Sequence, residues 1–343
     1  MDVAYIIEKS SLVLLVFLVS LGVAAYSTYF ERKLAGWIQD RIGPDRAGPF
    51  GLLQPIADGV KMFLKEDFIP KNSDKWLFII GPGVSMFMAL ITSTIIPWGP
   101  PVEVFGRQVT LQIADFNIGI LFIFGVVSIG VYGIMIGGWA SNNKYSLFGA
   151  IRASSQMISY ELAMGISLIT IILMSGGLSL NDVLENQKGM NWNIFYQPVC
   201  FLIFFICSLA ETNRAPFDLP ECESELIGGY HTEYTSMKLG LFLFAEYVSM
   251  FISSAVISIL FFGGYHFPGE SYFDGNTLAI ISVLVFFAKT FFFVFIFMWI
   301  RWTIPRFRFD QLMHLGWKTL IPVAIINMLV TGVVIAISKG WFQ

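Results

Sequence analysis

The thirty-one residues AETNRAPFDLPECESELIGGYHTEYTSMKLG, from Ala210 to Gly240, lie between two long apolar runs and hold six carboxylates. These are Glu211, Asp218, Glu221, Glu223, Glu225 and Glu233, faced in the same stretch only by Arg214 and Lys238. Three further charged side chains, Glu161, Glu246 and Lys289, fall inside apolar runs. The chemistry such groups can do is proton exchange. Burial and neighbouring carboxylates both raise a carboxyl pKa toward neutrality, where it can take up and release protons. A charged group within the hydrocarbon costs at least about 2.5–3.5 kcal/mol and usually faces protein interior or a water-filled cavity. Two arrangements fit these residues. One is a static buried pair, for example Lys289 with Glu246, holding a helix bundle in register. The other is a chain of titratable groups leading inward from the acidic loop. The loop favours the second, because it adds carboxylates that no ion pair needs. Glu221, Glu223 and Glu225 alternate, so an extended stretch places them on one side. Pro216, Phe217, Leu219, Pro220, Leu226 and Ile227 interleave with the acids, which describes a packed loop rather than a solvated one.

Other chemistries find no support. Cys200, Cys207 and Cys222 form no CxxC pair, and His231, His266 and His314 lack ligand spacing, so neither a metal nor an iron–sulfur site is expected. No dinucleotide fingerprint, phosphate-binding loop or nucleophile elbow occurs, so no NAD or FMN site and no nucleic-acid partner is expected. The mixed-charge start, with Asp2, Glu8 and Lys9, has no cleavage motif, and the first apolar run is expected to be retained.

The elements that must position these acids are helices in a bilayer. Hydrophobic residues make up 56% of the 343 and charged residues 13%, about half the usual charge of a soluble domain; mean hydropathy is +0.70. Eight runs, near 11–30, 76–97, 117–139, 157–176, 194–210, 239–263, 277–300 and 319–338, approach the roughly 20 residues that span a hydrocarbon core. Open sheets cannot satisfy their backbone in lipid, so the expected fold is an all-α polytopic membrane protein, one domain over 1–343. The loops 31–75, 140–156, 211–238 and 301–318 carry sixteen Lys and Arg, against four in the alternate loops and termini. The positive-inside rule then puts the acidic loop on the cytoplasmic or matrix face and both termini on the other. On that topology Glu161 and Glu246 enter from the inner face, Lys289 is midway along the seventh run, and Glu211 closes the fifth. All are expected to share the inner half of the membrane.

Near 50–66, FGLLQPIADGVKMFLKE sets Leu52, Leu53, Ile56, Val60, Phe63 and Leu64 against Gln54, Asp58, Lys61 and Lys65. That spacing predicts a helix lying in the interface. Before it, RIGPDRAGPFG alternates Gly-Pro with Arg41, Asp45 and Arg46, an ordered charged turn. In the third run Gly130, Gly133 and Gly137 form a stripe suited to close helix packing.

Four blocks carry a resemblance: YFERKLAGWIQDRIGPDRAGPFGLLQPIADGVKMFLKED (29–67), GGWASNNKYSLFGAIRASSQMISYELAMG (137–165), LAETNRAPFDLPECESELIGGYHTEYTSMKLGLFLFAEY (209–247) and RWTIPRFRFDQLMHLGWK (301–318). Through them the chain resembles, from end to end, the H-subunit family of bacterial NADH-quinone oxidoreductase (respiratory complex I). The resemblance implies an eight-helix protein with a surface helix that joins the membrane arm to the peripheral arm and forms much of a quinone-access chamber. It implies Glu31, Arg32, Trp37, Arg41 and Asp58 around the chamber entrance. Phe217, Asp218, Glu221, Glu223 and Glu225 would line its inner part. Glu161, Glu211, Glu233 and Glu246 would lead from the chamber toward neighbouring membrane-arm subunits; Lys289 is added to these coupling groups from its place inside an apolar run, not from the resemblance. Quinone, ubiquinone or menaquinone, is then the bound substrate. NADH, FMN and the iron–sulfur clusters belong to other subunits, so the chain alone is expected to have no catalytic residues of its own. A bacterial inner membrane is the expected location. Three other readings compete: the equivalent component of a membrane-bound hydrogenase or ferredoxin-linked relative, a free-standing ion or proton transporter, and a pure scaffold. No inverted repeat is visible and the distinctive blocks gather on one face, which disfavours a transporter.

Overall fold

A computed structural model of the chain describes residues 3–104, 106–219 and 226–338. It is almost wholly helical: α1 Val3–Ile38, α2 Gln54–Leu64, α3 Lys75–Thr92, α4 Gly119–Ala140, α5 Lys144–Ser175, α6 Leu180–Glu185, α7 Asn193–Tyr196, α8 Pro198–Glu211, α9 Ser236–Phe262, α10 Gly275–Thr303, α11 Phe309–His314 and α12 Ile321–Ser338. A π-helical stretch, Leu315–Leu320, joins the last two. The described strands are one small antiparallel hairpin, β1 Val102–Val104 with β2 Arg107–Val109, in the register Val102↔Val109.

Among the described residues seven helices are long and apolar enough to cross a membrane. The fifth expected crossing is different. Its helix, α8, has 14 residues, and Gln197 breaks it from the single turn of α7. Other boundaries move outward. α1 runs on to Ile38, so Glu31 and Arg32 stand on a helix rather than in a loop. α5 starts at Lys144, thirteen residues before the expected 157, because the Asn143 side chain accepts from Tyr145 N at 2.9 Å and caps it. α3 is capped likewise by Asp74, which accepts from Trp76 N and Leu77 N. α5 and α9 end at Gly176 (φ 75) and Gly263 (φ 68), left-handed positions suited to glycine.

α9 is the axis. It packs on α1, α3 and α10, and it is the most deeply buried of the long helices. α5 packs on α4, α8 and α12 around it. The glycine stripe of α4 meets α3 so closely that a Cβ on Gly133 would lie 2.7 Å from Ser85 N and 2.8 Å from Gly81 O. Gly130, one turn away, has room: its Cβ would find Met88 at 3.9 Å.

The bundle has two ends. At one, Lys9 donates to Gln112 O and Asn276 donates to Glu103 O. At the other gather the charged loops, where Tyr29 donates to Phe50 O, Ser236 to Met62 O and Asn143 to Glu233. The second is called the charged end below.

Candidate functional site

The site is built at the charged end where α1, α2, α9 and α10 meet. Glu31, on the extension of α1, is 5% exposed. Its carboxylate pairs with Arg301 at the last turn of α10, with Arg214 at 3.4 Å, and accepts from Tyr247 Oη at 2.8 Å. Arg214 is brought there because Asn213, at φ 49, turns the chain sharply after α8. Its guanidinium lies 4.0 Å over the Tyr247 ring and 3.6 Å from Glu246, so it joins α1 to α9. Burial opposes its charge, but Tyr247, Glu31 and Glu246 more than offset that and hold its pKa above the ordinary arginine value. Glu246 also accepts from Tyr230 Oη at 2.9 Å. The result is a buried ladder, Arg301–Glu31–Arg214–Glu246–Tyr230.

Beside the ladder, Arg32 pairs with Asp58 at 2.6 Å, and Gln54 donates to Asp58 at 3.0 Å. Gln54 and Asp58 of the polar stripe of α2 thus turn toward α1, while Lys61, Lys65 and the apolar Ile56, Val60, Phe63 and Leu64 are exposed. Together these groups wall a cleft of about 880 Å³ that holds Glu31, Arg32, Asp58, Arg214, Glu246, Tyr247 and Arg301. Glu246 also lines a second, small cavity with Tyr230, Ser85, Ser249, Ser253 and Glu211. Glu211 in turn lines a third, smaller still, with Thr92, Ser208 and Ser253. Three spaces are therefore strung on two carboxylates. The Glu161 carboxylate, on α5, accepts from Ser128 on α4.

Some expected residues lie elsewhere. Trp37 is 72% exposed and belongs to a separate apolar groove of about 1010 Å³ between α1 and α10, with Tyr26, Phe30, Phe291 and Phe295. Arg41 is exposed and bonds Gln39, outside the cleft. Glu233 faces a groove on the surface of the charged end with Lys71, Asn143 and Lys144, accepting from Asn143 at 2.6 Å. Phe217 is buried between Tyr160 and Phe307, with ring centroids at 5.4 and 5.5 Å. Asp218 pairs with Arg306 at 2.9 Å. Glu221, Glu223 and Glu225 lie outside the described residues.

Lys289 corrects an expectation. It is at the end of α9 opposite the charged loops, bonded to the carbonyls of Phe262, Gly264 and His266. Glu246 lies sixteen residues back along α9, about 24 Å away at 1.5 Å per residue. The Lys289–Glu246 pair does not exist, and the two do not share one half of the bundle. The cation that meets Glu246 is Arg214. Sequence reasoning passes over Arg214, Arg301 and Tyr247; the one signal is that Arg214 is a rare base among six acids.

A family profile described as NADH dehydrogenase matches residues 10–332. The chain is 60% identical to the H subunit of NADH-quinone oxidoreductase from Flavobacterium johnsoniae, over 98% of this chain and 97% of that protein. It is 61% identical to the H subunit numbered 1 of the same enzyme from Cytophaga hutchinsonii, over 96% and 97%, and 48% identical to its namesake from Geobacter metallireducens, over 97% of each. A helical membrane chain whose charged end carries this ladder, and whose sequence matches over nearly its whole length, belongs to the family of NADH-quinone oxidoreductase H subunits.

Proposed function

We propose that the chain forms the quinone-access chamber of a proton-pumping NADH:quinone oxidoreductase and passes the electrostatic consequence of quinone reduction to the membrane arm. The 880 Å³ cleft is the entrance side of that chamber: Arg32 and Asp58 offer polar contacts to a quinone head, and Glu31 with Arg214 and Arg301 forms its charged wall. Phe217, packed between Tyr160 and Phe307, and Asp218, paired with Arg306, are assigned to the inner lining by the family resemblance. The observation that carries the reading is the double exposure of Glu246, which faces both the cleft and the cavity leading to Glu211. A change of charge in the cleft is thereby felt one carboxylate further in. Glu211 and Glu161 continue the route toward neighbouring membrane-arm subunits; Glu233, in its surface groove, and Lys289 stand apart from it.

The same reading sets the chain in a bacterial inner membrane with its charged end cytoplasmic, facing the peripheral-arm subunits that hold the redox centres, and both termini periplasmic. The bilayer is crossed eight times, α8 supplying the shortest crossing, and α2 lies in the interface with its apolar face on lipid. In the entrance wall only Glu31, Arg32 and Asp58 are retained from the expected set.

The test is Glu246→Gln in the assembled complex. Shape and hydrogen bonding are nearly kept, so abundance and NADH oxidation by an artificial acceptor should stay at the parental level. Quinone-dependent turnover and protons pumped per NADH should fall together. Normal pumping at normal abundance removes Glu246 from the mechanism.

A further inference from the structure

Lys289 sits in the middle of an apolar helix, and among the described residues it pairs with no carboxylate. Its ammonium group has three hydrogens and no acceptor. It donates to three main-chain carbonyls: Phe262 at 2.7 Å, Gly264 at 2.9 Å and His266 at 2.7 Å. The Trp192 ring centroid lies 5.0 Å away, a further favourable contact for a cation. Three donors meet three acceptors, which saturates the group.

The acceptors are not accidental. A helix leaves its last four carbonyls unpaired and carries a partial negative charge at that end. On α9, Gln187 takes Ile259 O and Asn193 takes Leu260 O, each at 2.8 Å. Gly263 and Gly264 are both left-handed, at φ 68 and 51. The turn they make brings the carbonyls of 262, 264 and 266 onto one point. Carbonyl clusters of this kind can replace the hydration shell of a cation.

We propose that the end of α9 and the turn after it form a main-chain site for a primary ammonium cation, filled in this chain by Lys289 and open to a small free ammonium ion when that side chain is shortened. The site ties α10 to the end of α9 farthest from Glu246. It is selective by geometry: a guanidinium presents a planar fork of donors, which does not match three carbonyls converging on one atom.

The experiment uses detergent-purified complex, where amines cannot act as uncouplers, and reads thermal inactivation of Lys289→Ala with methylammonium or tetramethylammonium chloride at equal ionic strength. Lys289→Ala should inactivate about tenfold faster than the parent, the loss expected when hydrogen bonds to a charged group are removed. Methylammonium should restore most of the difference; tetramethylammonium, which has no N–H, should not. The parent should respond to neither. Parental stability of Lys289→Ala, no rescue, or equal rescue by both salts overturns the proposal. Should Lys289→Ala yield no complex, membrane abundance of Lys289→Met and Lys289→Arg decides. Both should fall well below the parent, and a parental level of either overturns the site as described.

Discussion

Removing Arg214 is the sharpest perturbation of the ladder. In Arg214→Met the stem is replaced by a side chain of similar length, and the charge between Glu31 and Glu246 is lost. At 3.4 and 3.6 Å, with an effective dielectric near 20, each attraction is roughly 5 kcal/mol before desolvation is subtracted. The two carboxylates do not suffer equally. Glu31 keeps Arg301 and the Tyr247 hydroxyl, whereas Glu246 keeps Tyr230 but loses the Arg214 cation. Breaking a buried pair by removing one partner costs about 3–5 kcal/mol, a large part of the 5–15 kcal/mol that typically holds a fold together. Complex abundance on native gels should therefore drop severely, and the thermal midpoint of what assembles should fall. Arg214→Met combined with Glu246→Gln also removes the carboxylate that Arg214 met and should recover abundance, since contacting residues are non-additive. The readout is the full double-mutant cycle in abundance and midpoint. Arg214→Met with parental values, or a double variant no better than Arg214→Met, refutes the ladder.

Asp58→Asn leaves Arg32 unpaired at the cleft and should lower quinone turnover several-fold with artificial-acceptor activity intact, while Arg41→Ala, outside the cleft, should change quinone kinetics little; the reverse order would move the entrance to the Arg41 turn. Gly133→Ala drives a Cβ into the backbone of α3 and should destabilise by about 1–3 kcal/mol, read as a lower thermal midpoint. Gly130→Ala, with 3.9 Å of room, should not, and equal effects would show that the stripe does not set the α3–α4 approach. Purified alone, the protein should oxidise no NADH and reduce no quinone, measured spectrophotometrically.

The long helices are legible because unbroken apolar runs of 18 residues or more have one solution in a bilayer. Their ends are less so. The first thirteen residues of α5 read as a loop because Lys144, Arg152 and several serines dilute the hydropathy; the Asn143 cap and packing against Tyr230 make them helical. Ser146, for instance, is fully buried and bonded to that segment. In the site, Glu31, Arg32 and Asp58 are legible through family blocks, and Glu246 through its improbable place in an apolar run. The cations that meet the acids are not. Arg301 and Glu31 lie 270 residues apart, and no spacing rule joins them. Lys289 misleads because opposite charges suggest a pair, whereas an ammonium ion is equally satisfied by the free carbonyls of a helix end.

The 14 residues of α8 rise about 21 Å, some 9 Å short of a typical hydrocarbon core of about 30 Å. Gln197, at the break before it, is held by polar side chains of α12: it donates to Thr331 at 2.9 Å and accepts from Asn327 at 3.0 Å. Irregular backbone at membrane depth survives only under protein cover of this kind. If α8 crosses the bilayer as proposed, the flank where Phe195, Tyr196, Val199 and Leu202 are bare meets hydrophobic mismatch, which lipid relieves by thinning locally or a neighbouring protein relieves by covering it. Glu211 closes this same short helix. On the proposed topology bilayer thickness becomes a variable acting on the height of Glu211, and acyl-chain length is expected to join pH and quinone chemistry among the conditions that tune it.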